Sequence, residues 1–336
     1  MSGSQETAHR ASWEPGCSLA KLRARARMLA DIRVFFSNRG VLEVETPLMC
    51  QTAATDPGLS IFVTQLACSG ENNPQARYLQ TSPEYAMKRL LAAGSGAIYQ
   101  ITRAFRNEES GRFHNPEFSL LEWYRPGFSL GELIAEIDAL IRSLFDAASP
   151  LQPSATVDYR QLFDAHTGLD ALTFDPDAYN ACALSYGLVD AARLCGDQHG
   201  HWLDFLFSVR VQPTLGKQGV CFVHNYPAVL PSLARNKIDD SRVVERVEIF
   251  MDGIEIGNGF RELTDHREQR ARFENDLAER TRRGLPSIPI DARLLQALEH
   301  GLPDCSGVAI GLDRLLMLLT GETHIDQVLA FADGRA

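Results

Sequence analysis

Three stretches of this chain combine side chains suited to phosphates, cations and a nucleobase. The first is Phe105-Arg106-Asn107-Glu108, followed by His114-Asn115-Pro116-Glu117-Phe118 and Leu121-Glu122-Trp123-Tyr124. As two strands and a loop, the two-residue period puts Phe118, Leu120, Glu122 and Tyr124 on one face and Ser119, Leu121 and Trp123 on the other. One face then carries a ring at one end and a Glu/Tyr pair at the other, roughly 20 Å apart at about 3.3 Å per residue. That is the span of an amino acid joined to a nucleotide. On the first strand Arg106 and Glu108 share a face, where the guanidinium suits a phosphate; the same spacing also fits a plain surface ion pair.

The second stretch runs from Glu248 through Asp252-Gly253 to Glu262. Asp-Gly between alternating residues predicts a tight hairpin, with Glu255 opposite Phe250 and so on the face of Glu248. Two acids on one sheet face repel unless a cation lies between them, which makes a Mg²⁺ site for phosphates one reading and a solvated acidic face the other. Glu262 points away in a straight strand, but a bulge within Gly257-Asn258-Gly259 re-aims it. The third stretch, Gly307-Val308-Ala309-Ile310-Gly311-Leu312-Asp313-Arg314, reads as a strand entering a helix. Small residues at 307, 309 and 311 leave the backbone open to a ligand, and Arg314 sits in the first helical turn, free to reach a phosphate. An ordinary Asp-Arg helix start fits the same residues.

These side chains need a platform. Residues 1–17 lack any period and read as a flexible lead-in. From Ser18, a candidate N-cap, Leu19, Leu22, Ala26, Leu29, Ile32 and Phe36 recur at helical spacing, and Gly40 closes the helix. A strand over 41–45 follows. Strand patterns cover 59–67 and 97–125, then 220–229 and 243–260; helical patterns cover 82–93, 129–147 and 265–283, and a strand and helix close the chain at 306–320. Strands adjacent to strands predict an α+β fold, an antiparallel sheet with helices around it, not a βαβ repeat. Residues 150–218 read as a mainly helical insertion. No GxGxxG or GxxxxGK[ST] loop occurs, so a bound nucleotide is held neither by a Rossmann turn nor by a P-loop.

Bulk properties narrow the partners. A net charge of −10 without a basic run argues against a nucleic-acid arm or a polybasic membrane patch. Seven scattered cysteines without a CxxC spacing argue against a disulfide framework or a zinc site and point to a reducing cytoplasm. No window is apolar enough for a membrane span.

Together the three stretches resemble motif 2, the acidic hairpin and motif 3 of class II aminoacyl-tRNA synthetases, and Gly40-Val41-Leu42-Glu43-Val44-Glu45-Thr46-Pro47 resembles motif 1. The match is to the lysyl enzymes and spans about residues 19–330. It implies a class II synthetase-like catalytic core over 18–336, ATP and Mg²⁺, and a homodimer through motif 1. It further implies Arg106 and Arg314 as the catalytic groups on the phosphates and Phe118 stacked on adenine. Asn107, Glu108, His114, Asn115, Ile256 and Gly311 would help seat the nucleotide. Glu248 and Glu255 are the implied Mg²⁺ ligands. Glu262 and Tyr124 take a terminal ammonium, and Ser82, Glu84 and Glu122 surround a second amino group.

Two departures refine the resemblance. Lysyl-tRNA synthetases carry an anticodon-binding OB domain before motif 1, and here only about eighteen polar residues precede it, so no tRNA is expected. Where those enzymes have Ala before Pro-Glu and Gly in the motif 3 strand, this chain has Ser82 and Ala309. A methyl at 309 and a hydroxyl at 82 suit an amino group displaced by one carbon, although Ser82-Pro83-Glu84 is also a good helix start. The pattern resembles the free-standing synthetase paralogues that transfer (R)-β-lysine to a lysine side chain of elongation factor P. An α-lysine ligase and a non-catalytic paralogue are the alternatives, the second set back by the presence of every phosphate arginine and metal carboxylate.

Overall fold

The computed structural model describes residues 13–67, 74–145, 150–230 and 233–336. The chain opens with α1 (Leu19–Ser37), β1 (Leu42–Glu43), β2 (Met49–Cys50), β3 (Val63–Leu66) and β4 (Gln75–Leu79). Then come α2 (Glu84–Ala92), β5 (Ile98–Phe105), β6 (Glu117–Pro126), α3 (Leu130–Leu144), β7 (Ala155–Asp158) and the helices α4 (Tyr159–Thr167), α5 (Pro176–Ser185), α6 (Ala191–Cys195) and α7 (His199–Leu206). It ends with β8 (Cys221–Pro227), β9 (Val243–Met251), β10 (Ile254–Arg261), α8 (His266–Arg282), α9 (Ala292–Gly301), β11 (Cys305–Gly311) and α10 (Leu312–Thr320).

Local chemistry explains many of the boundaries. The Ser18 hydroxyl accepts from the Lys21 amide and starts α1, and Ser129 with Glu132 forms a reciprocal capping box on α3. Asp252 and Gly253 both take positive φ, 49° and 76°, which gives the β9–β10 turn the twist a two-residue hairpin needs.

The main sheet has the order β1-β5-β6-β11-β10-β9-β8-β7. From β5 to β8 every neighbour is antiparallel, as expected, while both edges, β1 on β5 and β7 on β8, are parallel. A small sheet, β2-β4-β3, lies apart. One face of the main sheet is filled by α1, α3 and α10, whose Ile32, Phe36, Ile137 and Leu315 pack on Leu121, Trp123, Ile249 and Ile310. The other face is covered only at its ends. A core of α2, α8 and α9 sits at one side, and the 150–218 region at the other. The space between them holds the site.

Three expectations need correction. The insertion is helical in most of its length, but it opens with β7, which continues the main sheet. The lead-in is partly built in: the Gly16 amide donates to the Ala330 carbonyl at 2.6 Å and Cys17 is buried, so hydrogen bonding to the C-terminal segment fixes its last residues; residues 1–12 lie outside the described part. The strand around Arg106 ends at Phe105. No helix among the described residues is long and apolar enough to cross a membrane, and the six described cysteines are free.

Candidate active site

A cavity of about 1030 Å³ lies over β6, β11, β10 and β9, walled by the start of α2, residues 51–56, Ala228, Val229, Leu230, Leu233 and Asn236, and α8. A smaller one of about 110 Å³ continues along the same face toward α10, and the two share Arg106, Glu255, Asn258 and Ala309. Ser82, Glu84, Glu122, Tyr124, Glu248, Glu262 and Ala309 line the large cavity; Phe118, His114, Asn115, Ile256, Gly311 and Arg314 line the small one. The period of β6 therefore separates its residues as expected, with Phe118 at one end and Glu122 and Tyr124 at the other.

The acidic hairpin reaches this face through a bulge. Glu255 pairs with Phe250, but Gly257 pairs with Ile249 and Asn258 with Glu248, so Ile256 is the extra residue. Beyond it Asn258, Phe260 and Glu262 face the cavity. The re-aiming of Glu262 is as expected; its position is one residue earlier than Gly257-Asn258-Gly259.

The floor of the large cavity must be small at one point. A Cβ on Gly307 would stand 2.4 Å from two Tyr124 ring carbons and 2.7 Å from Glu262 Oε1. Above it Ser82 Oγ donates to Glu122 Oε2 at 2.7 Å and the Tyr124 hydroxyl donates to Glu122 Oε1 at 2.6 Å. Burial, reinforced by Glu84, pushes the Glu122 carboxyl up to about 8. Burial also raises Glu262 to about 7, against the pull of Lys88. These two acids and Glu84, which lines the same cavity, form a seat for ammonium groups.

Sequence reasoning missed Lys88. Its ammonium lies 2.5 Å from Glu84 Oε1 and 2.6 Å from Glu262 Oε2. The i,i+4 spacing from Glu84 is the one signal of it in the sequence.

At the nucleotide end, the Arg106 guanidinium stands 5.2 Å over the Phe118 ring, and its buried Nε has no partner. A planar aromatic surface and an unused cationic donor are what a base and a phosphate require. Arg314 is not free as expected. It donates to the carbonyls of Phe113 at 3.1 Å and Glu255 at 2.8 Å and to His114 Nε2 at 2.6 Å, which fixes its plane and leaves two of its five N–H groups available. Burial and the adjacent Arg314 lower the His114 pKa, in keeping with its ring accepting that bond. Asn115 spends its amide on the Glu117 carbonyl and the Asp333 amide.

Arg106 and Glu108 do not share a strand face. Glu108 is exposed with φ 66° in a turn, and Arg106 pairs instead with Glu109 at 3.5 Å. Neither Asn107 nor Glu108 lines either cavity: Asn107 Oδ1 accepts from the Glu108 amide at 3.0 Å and shapes the turn.

Glu248 and Glu255 do share a face, but Glu248 is already held by two partners that sequence reasoning missed. The Tyr226 hydroxyl donates to it at 2.6 Å and Arg246 forms an ion pair with it. Burial and Glu248 raise Glu255 to about 7. No cluster of three or more metal-ligating side chains occurs among the described residues. Two carboxylates suit Mg²⁺, which commonly takes one or two from the protein and the rest of its shell from water and phosphate oxygens.

The model of the tRNA synthetases class II (D, K and N) matches residues 16–335. The chain belongs to this family. Its members named elongation factor P--(R)-beta-lysine ligase include one from Yersinia enterocolitica serotype O:8 / biotype 1B, 48% identical over 97% of this chain and 99% of the relative. Proteins of the same name from Salmonella paratyphi B and Klebsiella pneumoniae are each 47% identical with the same coverage. The β5–β6 pair, the bulged β9–β10 hairpin and the β11–α10 junction all lie within the matched region.

Proposed function

We propose that this chain is an ATP-dependent ligase that activates (R)-β-lysine as its adenylate and transfers the β-lysyl group to a lysine side chain of elongation factor P. The observation that carries the reading is one sheet face with an acidic pocket at one end and an arginine–phenylalanine seat at the other, in a chain nearly half identical to ligases of that name over almost their whole length.

Glu262 and Tyr124 hold the terminal ammonium of the substrate, and Ser82, Glu84 and Glu122 the second amino group, replacing the water shell of a dication. Phe118 stacks on adenine, and Arg106 and Arg314 bind phosphate oxygens. Glu248 and Glu255 would hold Mg²⁺, which when bound offsets the charge of the triphosphate. The substrate carboxylate attacks the α-phosphorus and pyrophosphate leaves. No side chain acts as nucleophile; positioning and charge neutralisation lower the barrier. The deprotonated amine of the acceptor lysine then attacks the acyl carbon of the mixed anhydride and AMP departs.

We infer a homodimer, supported by exposed Val34, Leu42, Leu48 and Met49 around motif 1, with a protein rather than tRNA as acceptor. Free cysteines support a reducing cytoplasm. The test is mass spectrometry of purified elongation factor P after incubation with the protein, ATP, Mg²⁺ and β-lysine. The expected result is the mass gain of one β-lysyl group on a lysine. Unmodified factor, with no pyrophosphate exchange on β-lysine, refutes the assignment.

A further inference from the structure

Lys88 sits in the second turn of α2, is 1% exposed and pairs with Glu84 and Glu262, both of which line the large cavity. Lysine is almost never buried so fully unless paired. Glu84 faces it from its own helix, Glu262 from the end of β10 and Cys305 from β11, with Glu122 and Tyr124 of β6 beyond. Burial alone would lower its affinity for a proton, but Glu262 and Glu84 more than reverse this, so it stays charged. Glu262 Oε2 has no aligned hydrogen-bond donor, and the ammonium at 2.6 Å is its compensation.

The geometry divides each acid in two. Lys88 takes Glu84 Oε1 and Glu262 Oε2. Glu262 Oε1 is left over Gly307, beside the Tyr124 ring and toward the cavity. The charges also balance. Glu84, Glu122 and Glu262 supply three negative charges when ionised and Lys88 returns one, leaving two, the number of ammonium groups on a diamino acid.

We propose that Lys88 is a positioning and selectivity residue for the amino-acid step: it grips one oxygen of Glu84 and one of Glu262 so that the others meet the substrate, and it sets the pocket to accept two ammonium groups. This rests on the diamino-acid reading of the pocket. Removing the cation leaves three acids unbalanced. Their proton affinities rise, and a higher pH is needed before they bind ammonium.

The test is Lys88→Met, assayed by pyrophosphate exchange across pH with β-lysine. The KM for β-lysine is expected to rise about tenfold or more, with the KM for ATP unchanged. The rising limb of kcat/KM should move up by about one pH unit. A variant with the wild-type KM and an unmoved limb overturns the proposal, since a merely space-filling role would leave both in place. Should Lys88→Met not fold, the comparison is made between Glu84→Gln and Glu84→Gln/Lys88→Met, which loses one charge of each sign and leaves one acid, Glu262, without the ammonium instead of two. The limb moves up in the double variant if the proposal holds and stays if it fails. A wild-type protein inactive on β-lysine would instead sink the substrate assignment, and the same variants are then compared by calorimetric titration with α-lysine.

Discussion

The Ser82 hydroxyl donates to Glu122 at 2.7 Å and accepts from the Glu84 amide at 3.1 Å, so one side chain ties the start of α2 to the middle of β6. It stabilises the ionised form of a carboxyl that burial pushes up to about 8. In Ser82→Ala that donor is lost, and the KM for β-lysine should rise about fivefold, or ~1 kcal/mol, with the KM for ATP unchanged. Exchange kinetics with the wild-type KM would remove Ser82 from the recognition of the second amino group.

Ala309 lies directly opposite Glu122 on β6 and opposite Asn258 on β10. Its methyl stands where the two cavities join. Ala309→Gly should raise the efficiency with α-lysine relative to β-lysine by about tenfold, the scale of one methyl group in a fitted pocket. An unchanged ratio of the two kcat/KM values counts against selectivity at this position.

Arg106→Ala and Glu255→Ala should each lower pyrophosphate exchange by about a hundredfold or more, while circular dichroism and the melting temperature stay close to wild type. Arg106 makes one long ion pair, with Glu109 at 3.5 Å, and its Nε has no partner, so little of the fold depends on it. Wild-type rates in either variant would refute the phosphate and metal assignments.

The buried Glu122 makes a stability prediction with a definite sign. Its carboxyl titrates near 8 in the fold and near the ordinary 4.5 in the unfolded chain. The protonated form is the one that burial tolerates. Its contribution is therefore whole below about 4.5 and is lost as pH rises through 8. In the absence of ligands, Glu122→Gln should gain on the wild type by about 2 °C or more between about pH 6 and pH 8.5. A melting-temperature difference that does not change with pH would show that Glu122 stays ionised.

How far the site is legible from sequence depends on which force decides each part. A strand leaves its side chains only two directions, so the shared face of Phe118, Glu122 and Tyr124 follows once β6 is recognised. Asp252-Gly253 names its own turn, since both residues tolerate positive φ. The bulge is different. That Glu262 turns inward can be argued from the glycines, but Ile256 is the residue expelled from pairing because its side chain is buried with Ile249 and Ile310 in the helix-covered core. That contact depends on the order of strands. The same holds for Lys88, whose partner Glu262 is set by tertiary placement; Arg246 and Glu248 are two residues apart on β9, so their shared face follows from alternation once the strand is recognised. Glu108 fails for a local reason: the chain leaves the sheet at Arg106, and alternation no longer applies beyond it.

Asp313, next to Arg314, accepts from the Ser119 amide and from Arg25 of α1, 288 positions earlier in the chain. The contact closes only when the first helix and the last are both present. During synthesis, then, α1 leaves the ribosome long before its partner, and Asp313 cannot be held by Arg25 until the 288 positions between them have been made. A junction built this way stays open through most of the growth of the chain and is closed by a contact of very long loop.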